Sequence, residues 1–325
     1  MKLRRLRTRS NWDALVESFD QALHFHTWDW LDFTERVLGV VFDRYVVEHQ
    51  GRDVGVFPIG RHTPRSLTSP ILPFPFLGPL VPPELVGHVP GALRRQQLRS
   101  GLVVGRYEVG PLAAPDWREA VGQSGSAVRE INTVVVEVGG LSDGEALRAT
   151  YSRGHRRSLA RAEREGCLIR SPRPGEVSVL LPAFLEEAYG SHGNPSPYPS
   201  DVGRLVDDWS TSRADVSTLV AEVRGEPAGL LVVLGGGPTA LLWVGGCFRR
   251  FRDLRATFLL YHEAMVWAIE RSHERIDFLA GIGDPGVRQF KLGFGGQQVS
   301  GLRVQSSLIP DWSVDSLGRV RRALR

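Results

Sequence analysis

Residues 278–296 read FLAGIGDPGVRQFKLGFGG, and this stretch carries the most specific pattern in the chain. A predicted apolar strand, Ile276–Leu279, leads into a glycine-rich turn, which is followed by the segment Phe290–Phe294. Of the 40 basic residues, only Lys2 and Lys291 are lysines. A lysine ammonium is a compact charge whose pKa responds to its surroundings. We therefore place the candidate reaction centre at this segment.

The chain before the motif alternates between strands and a helix in the order β-β-β-α-β. Ser217–Val223 and Gly229–Leu234 form a predicted hairpin, Ala240–Phe248 is a third strand, and Ala256–Ser272 is a helix. This order is similar to that of the acetyltransferase (GNAT) fold. The resemblance implies that a substrate pyrophosphate lies at the N-terminus of the central helix, where free N–H groups and the helix dipole favour anions.

The segment before that helix lacks the glycines of a coenzyme A loop. The loop in the GNAT fold has the form Arg/Gln-x-x-Gly-x-Gly/Ala, but no glycine occurs here between Gly246 and Ala256. Arginines replace them and are suited to a polyphosphate or a nucleic-acid backbone. A solvated basic turn is the alternative. The four arginines are Arg249, Arg250, Arg252 and Arg255.

Three segments resemble the Fem family (FemABX) of aminoacyl-tRNA-dependent transferases. The glycine-rich turn with Phe290–Gly296 is similar to the family's Phe-Lys-x-x-Phe-Gly-Gly motif. Ser152–Gly166 is similar to the basic helix that opens the family's second domain. Arg106-Tyr107-Glu108 is similar to an Arg-x-Asp/Glu element on a first-domain strand. The resemblance extends over roughly residues 145–300 and is diffuse over the first 140.

The resemblance implies an α/β (α+β) chain of two tandem GNAT-like domains, each a mixed twisted sheet flanked by helices. We expect residues 1–140 to form the N-terminal domain, 141–310 the C-terminal domain and 311–325 a tail. The boundary is placed at Gly139-Gly140, where the β-branched strand Ile131–Val138 ends. There is no room for the coiled-coil arm of the cell-wall members, which weakens the expectation of a lipid-linked peptidoglycan substrate.

Two other segments have a predicted local structure that bears on the site. Pro64–Pro90 is too rich in proline for a regular helix and too apolar for a free linker, so we expect a packed, irregular wall of a groove. An arginine-rich helix is expected to begin after Asp143, with Leu147, Tyr151 and Leu159 on one apolar face.

Acyl transfer to an amine requires a neutral amine, stabilisation of the developing oxyanion and a route for protons. The resemblance implies that Lys291 stabilises the oxyanion or the departing oxygen, with Phe290 and Phe294 beside it to exclude water. Glu108 is the candidate group for accepting a proton from the amine. As an alternative, Phe290 and Phe294 are four residues apart and suit an ordinary core.

Further candidates contact the substrates. The exposed helix face formed by Arg153, Arg157, Arg161 and Arg164, with Arg156 nearby, is a candidate phosphate-binding stripe. Its alternative is a solvated helix in which Arg161 and Glu165 form an i,i+4 pair. The candidate substrate contacts are Phe294 and Asp284 within the motif and Tyr189, His192, Tyr198 and Trp243 outside it.

The composition indicates the cellular compartment and argues against a membrane protein. The net charge is +4, and only Cys167 and Cys247 could form a disulfide, which favours a reducing, cytoplasmic compartment. The basic N-terminus is not followed by an apolar signal segment, and the proline-broken run Ile71–Val81 is too short for a bilayer. We expect no integral membrane association, no metal and no cofactor.

Together, these expectations indicate that the protein is an enzyme. The leading hypothesis is an aminoacyltransferase that moves an aminoacyl group from aminoacyl-tRNA to the amino group of a small peptide, a peptidyl-nucleoside or a cell-wall precursor. An acyl-CoA-dependent N-acyltransferase is the first alternative, with acyl-CoA as its co-substrate. An RNA-binding protein on a GNAT scaffold without catalysis is the second.

Overall fold

The computed structural model describes residues 1–122, 124–190, 193, 195–279, 281 and 283–309. The chain divides into two compact units, one of Met1–Ile131 with the chain from Ser300 onward, and one of Asn132–Val299. The predicted boundary at Gly139-Gly140 lies eight residues after the first point of division (139 − 131). The predicted tail, 311–325, lies outside the described residues.

The first unit is built on two groups of antiparallel strands. Strands β1, β2 and β3 form one sheet in that order, and β4 pairs with the second half of β11, Leu302–Ser307. The elements of this unit are β1 (Lys2–Arg5), α1 (Trp12–Glu17), a 3₁₀ helix (His24–His26), α2 (Trp28–Leu38), β2 (Val41–His49), β3 (Arg52–Arg61), a 3₁₀ helix (Pro83–His88), α3 (Val89–Ser100), β4 (Val104–Val109) and α4 (Ala114–Gly122), with the first part of β5 (Ala127–Glu137) and the second part of β11 (Gln297–Ser307).

Strands β2 and β3 form a hairpin. Gln50 and Gly51 join β2 to β3 and both have positive φ angles, 50° and 78°, as a two-residue hairpin turn requires. The proline-rich segment is packed, as predicted, because Phe74, Phe76 and Leu80 within it are buried. T-shaped aromatic contacts stabilise the core of this unit, with ring centroids of Phe57 and Tyr107 5.4 Å apart and those of Tyr107 and Trp117 5.6 Å apart.

The second unit is a mixed sheet flanked by helices. Its strands lie in the order β5-β10-β9-β8-β7-β6, and only β9 and β10 are parallel neighbours. Besides the end of β5 and the start of β11, its elements are α5 (Gly144–Thr150), α6 (Arg153–Arg164), β6 (Cys167–Arg170), α7 (Glu176–Gly190), α8 (Val202–Thr211), β7 (Val216–Val223), β8 (Glu226–Leu234), β9 (Thr239–Cys247), a 3₁₀ helix (Arg249–Leu254), α9 (Ala256–Glu270), β10 (Arg275–Asp277) and α10 (Pro285–Leu292).

The β-β-β-α-β order predicted for the second unit is confirmed as β7-β8-β9-α9-β10. Helix α9 is the central helix and is apolar on most of its circumference. Leu260, Ala264, Met265 and Ala268 are fully buried, and they pack into one core with the strands. Such all-round burial explains why α9 shows little amphipathic periodicity.

The sequence prediction was wrong about one helix and missed others. The arginine-rich helix expected after Asp143 is two helices, α5 and α6, because Tyr151 and Ser152 adopt extended backbone with ψ angles of 151° and 153°. Ser152 then caps α6 by accepting a hydrogen bond from the backbone N–H of His155. Helices α8 and α10 had not been predicted. No helix in the described parts of the chain is long and apolar enough to cross a bilayer.

Candidate functional site

The glycine-rich turn after β10 is held by Lys291. Its ammonium Nζ donates hydrogen bonds of 2.9 Å to the carbonyl oxygens of Phe278 and Leu279. Leu279 has a φ of 57°, in the left-handed region that a leucine rarely adopts. The ammonium therefore stabilises an unfavourable turn directly at the carboxyl end of β10. The predicted candidate lysine is thus buried, with 7% of its surface exposed, on the last turn of α10.

The charge of Asp277 acts on this lysine. Burial raises the pKa of Asp277 to about 6, while hydrogen bonds from Thr133 and from the backbone N–H of Leu279, together with the charge of Lys291, act in the opposite direction. Burial lowers the pKa of Lys291 to about 8, and Asp277 counteracts that shift. The two charges therefore favour each other's ionised form, whereas burial favours the neutral form of both groups.

Phe290 and Phe294 belong to an aromatic cluster. Their ring centroids are 5.1 Å apart, and both rings contact those of Phe258 and Tyr261 from α9. Phe294 is 1% exposed and lies in the hydrophobic core, whereas Phe290 is half-buried. The observed contacts of Phe294 are those of a core residue. This agrees with the alternative interpretation of the sequence, in which the four-residue spacing of Phe290 and Phe294 suits an ordinary core. Of the two, only Phe290 has surface from which it could contact a substrate.

Sequence reasoning missed His155, which joins α6 to the motif. Its Nε2 lies 2.8 Å from the carbonyl oxygen of Phe290, and its Nδ1 lies 3.0 Å from Oγ of Ser152. A carbonyl only accepts, so Nε2 carries the proton and Nδ1 accepts from the serine hydroxyl. Burial lowers the pKa of His155, which favours this neutral ring. The signal in the sequence was the Ser-x-x-His spacing at the start of a helix.

Asp284 begins α10. Its carboxylate accepts hydrogen bonds from the backbone N–H groups of Gly286 (2.7 Å) and Val287 (3.0 Å). This is helix capping, and it directs α10 so that Lys291 reaches the turn. The structure thus gives this predicted substrate contact a structural role.

Strand β9 extends beyond its pairing with β10, which ends at Asp277. They pair only from Thr239 to Leu241, whereas β9 continues to Cys247. A bulge at Trp243 in the β8–β9 pairing and the φ angles of 143° and 152° at Gly245 and Gly246 bend β9 at this place.

The predicted substrate contacts Tyr198 and Trp243 lie together. Their ring centroids are 5.9 Å apart in a T-shaped arrangement, and Tyr198 is 8% exposed. Burial raises the pKa of Tyr198, and nearby Tyr189 raises it further. Tyr189 is half-buried near the end of α7. His192 lies outside the described residues.

The arginine stripe of α6 is exposed. His155, Leu159 and Ala162 form the buried face of the helix, and the arginines point away from it. The predicted Arg161–Glu165 pair is present at 3.9 Å. Arg156 donates to the carbonyl oxygens of Ala149 and Tyr151. The remaining three arginines form neither an ion pair nor a hydrogen bond with any described residue; they are Arg153, Arg157 and Arg164.

A second basic segment precedes α9. Arg249, Arg250 and Arg252 are exposed on the 3₁₀ helix, and Arg250 stacks on the rings of Phe248 and Phe251. Arg255 ends this segment with a φ of 61° and precedes Ala256 without a side-chain cap. The four predicted arginines therefore lie in the segment directly before the central helix.

Neither cysteine is a thiolate at neutral pH. Burial raises the pKa of Cys247 to about 12, and burial also raises the pKa of Cys167. A protonated, buried thiol is a poor nucleophile.

Glu108 lies on β4 in the first unit and is 9% exposed. Its Oε1 accepts a hydrogen bond of 2.6 Å from Nε of Arg303, and its Oε2 accepts one of 2.9 Å from the backbone N–H of Phe76. Burial raises the pKa of Glu108, and Arg303 opposes that shift. Both carboxylate oxygens therefore have donors, which sequence reasoning could not foresee because Arg303 is 195 residues away.

One part of the chain is similar in sequence to a known protein family. Residues 148–291 match the model of the acetyltransferase (GNAT) domain. This segment contains α6, the central helix α9 and Lys291. No curated protein matches the chain significantly by sequence.

Solved structures resemble the whole chain in fold. FemX aligns with a TM-score of 0.73 at 12% identity, covering 98% of this chain and 99% of FemX. A tandem GNAT protein from the clavulanic acid biosynthesis pathway aligns with a TM-score of 0.56 at 14% identity, covering 95% and 100%. L-PGS from Bacillus licheniformis aligns with a TM-score of 0.54 at 12% identity, covering 94% and 93%. The tandem GNAT fold predicted from the sequence is confirmed.

Proposed function

We propose that this chain, whose residues 148–291 form a GNAT domain within a FemX-like tandem fold, is an aminoacyltransferase. It takes the aminoacyl group from aminoacyl-tRNA and transfers it to the amino group of a small peptide, a peptidyl-nucleoside or a cell-wall precursor. The GNAT domain indicates an acyltransferase, and the choice of a tRNA ester as donor is our proposal.

The exposed arginine stripe of α6 is the observation that carries the choice of donor. Arg153, Arg157 and Arg164 have no described carboxylate to neutralise them. A row of unneutralised guanidiniums on one helix face attracts a polyphosphate backbone over several charges. The arginines before α9 extend positive charge to a second place in the same unit. A tRNA presents many phosphates, whereas a single coenzyme would need only a few of these side chains.

The chemistry we propose is a direct aminolysis. The acceptor nitrogen attacks the ester carbonyl carbon of the donor, the bond from that carbon to the ribose oxygen breaks, and the proton lost by the amine ends on the ribose hydroxyl. The positive charge of Lys291 stabilises the negative charge that develops on the carbonyl oxygen. Its field is strong because Lys291 is buried, away from the screening of bulk water.

The test uses the full chain with charged tRNA and a panel of amines, with and without ribonuclease. We expect a new amide product that disappears when ribonuclease is added first. A matched reaction contains acetyl-CoA in place of charged tRNA. A product that survives ribonuclease and needs acetyl-CoA would contradict the choice of donor.

An acyl-CoA-dependent N-acyltransferase is the second candidate. The match of residues 148–291 to the model of the acetyltransferase (GNAT) domain favours it. Against it stands the absence of glycine between Gly246 and Ala256, where arginine side chains occupy the place of a phosphate-binding loop. Tight RNA binding without turnover of either donor would instead support an RNA-binding protein.

A further inference from the structure

Arg106 is a half-buried cation in the first unit. Its Nε donates a hydrogen bond of 2.8 Å to Oε1 of Gln305, and its Nη1 donates one of 2.6 Å to the carbonyl oxygen of Ser69. Both acceptors are uncharged, and none of the described carboxylates forms an ion pair with Arg106. Because guanidinium stays protonated in proteins, this position holds an unneutralised charge.

A second guanidinium lies beside it. Burial lowers the pKa of Arg106, and the positive charge of Arg303 lowers it further. Arg303 is itself paired with Glu108, whose remaining oxygen accepts the backbone N–H of Phe76. The two guanidiniums and one carboxylate carry a net charge of +1, and because the carboxylate pairs with Arg303, the charge of Arg106 is left to favour an anion.

The cluster lines a pocket. Arg106, Glu108 and Arg303 form its polar side, and Ile71, Leu72 and Phe74 from the proline-rich segment contribute apolar surface. This agrees with the predicted role of that segment as a groove wall. Its cavity volume of about 30 Å³ suits one small functional group, with the rest of a ligand outside it.

Ser69 supplies an independent observation. It lines the same pocket and is 1% exposed, and its hydroxyl oxygen has no hydrogen-bond partner among the described residues. Buried hydroxyl groups in proteins nearly always have a partner, since burying one without it costs free energy. A bound oxygen atom would provide the missing acceptor.

We propose that this pocket binds the carboxylate group of a small-molecule ligand. A guanidinium presents its N–H groups in a fork that matches two carboxylate oxygens, and the small cavity favours that planar group over a phosphate. In this arrangement Glu108 positions Arg303 and is not a free base. We identify the ligand with the acceptor amine, which would carry a carboxylate as amino acids and peptides do, and this identification rests on the proposed function. The binding site itself does not depend on the proposed function.

The experiment measures binding to the full chain by isothermal titration, without any acyl donor. The probes are amino acids and dipeptides, each compared with its own C-terminal amide, and inorganic phosphate. We expect at least one acid to bind tenfold or more tightly than its amide. Arg106→Gln should weaken binding of that acid at least tenfold and leave binding of the amide unchanged.

Two variants separate binding from folding. Ser69→Ala removes a hydroxyl without a described partner, so it should keep the melting temperature and weaken acid binding severalfold. Arg94→Gln, on an exposed arginine of α3 in the same unit, should leave acid binding unchanged. If every acid binds like its amide, if phosphate binds as well as the best acid, or if Arg106→Gln and Ser69→Ala both bind acids normally, the assignment is wrong. Acid-selective binding without transfer from charged tRNA would overturn the proposed function and support this site.

Discussion

The imidazole of His155 occupies the space that a side chain at Gly293 would need. A methyl group built at Gly293 overlaps the ring, whose Nε2 is fixed 2.8 Å from the carbonyl oxygen of Phe290. The backbone N–H of Ser152 also donates to the carbonyl oxygen of Gly293. The start of α6 and the end of α10 are therefore held together at close range, and this contact fixes the helix that carries Lys291.

Gly293→Ala should destabilise the second unit and displace Lys291. The overlap is with a buried ring that cannot move aside, and overpacking of this kind costs about 1–3 kcal/mol. Urea unfolding followed by circular dichroism measures the loss. Gly283→Ala, in the same motif but with nothing within 4 Å of the added methyl group, is the matched control. Equal stability of the two variants would contradict this account.

Lys291→Met should reduce transfer about 10²–10³-fold, the effect of losing one preorganised charge at a developing oxyanion. The Lys2→Met variant changes the other lysine, which is exposed on β1, and should retain full activity. Urea unfolding of both variants shows whether Lys291→Met still folds. Normal transfer by a folded Lys291→Met protein would remove this lysine from the mechanism.

The same lysine predicts a pH dependence of the transfer rate. The protonated form is the active one, and burial lowers the pKa of Lys291 to about 8. The rate should therefore decline as pH rises through 8, provided that the acceptor is kept saturating. In Lys291→Arg, whose guanidinium stays charged, any residual activity should show no such decline. A wild-type rate that is constant up to pH 10 would speak against a required ammonium.

Replacing Arg153, Arg157 and Arg164 together by glutamine should weaken tRNA binding and flatten its salt dependence. Each phosphate contact contributes about 0.7–0.9 to the slope of log affinity against log salt, so the slope should fall by about 2–3. Fluorescence anisotropy with labelled tRNA at several salt concentrations measures it. The control changes three exposed arginines of the first unit, Arg94, Arg99 and Arg129. A slope that changes equally in both variants would contradict a specific surface on α6.

The stability of the protein should fall as pH decreases from about 6.5 to 4. Burial lowers the pKa of His26 to about 4, and its Nδ1 accepts a hydrogen bond of 3.1 Å from the backbone N–H of Leu23. In the unfolded chain this histidine becomes protonated near pH 6.5, whereas in the folded chain it stays neutral until about pH 4. The full free energy of unfolding is therefore present above pH 6.5, and part of it is lost on acidification.

The measurement compares urea unfolding at pH 7 and pH 5 for the wild type and His26→Gln. Between pH 7 and pH 5, the free energy of unfolding of the wild type should fall by about 1–2 kcal/mol more than that of the variant. This difference corresponds to about one to one and a half pKa units. His88→Gln, which alters an exposed histidine, should lose as much as the wild type. An equal loss in the wild type and His26→Gln would place the acid sensitivity elsewhere.

The sequence determined the order of elements in the second unit and the position of the motif. Helix α9 and strands β7 to β10 follow from runs of apolar and β-branched residues, and the turn after β10 follows from its glycines. Resemblance in a few motifs was enough to predict the tandem GNAT fold. These features depend on residues near one another in the chain, and local patterns report them.

The tertiary structure decided which side chains meet. Phe294 became a core residue because α9 packs its aromatic side chains against it, and Asp284 became a helix cap because α10 begins one residue later. The hydrogen bond between Arg303 and Glu108 forms only because β4 pairs with β11. Lys291 was singled out by its rarity, but only the fold shows that its ammonium binds the carbonyl oxygens of the strained turn at Leu279. Contacts between distant residues depend on how the elements pack, which no local pattern contains.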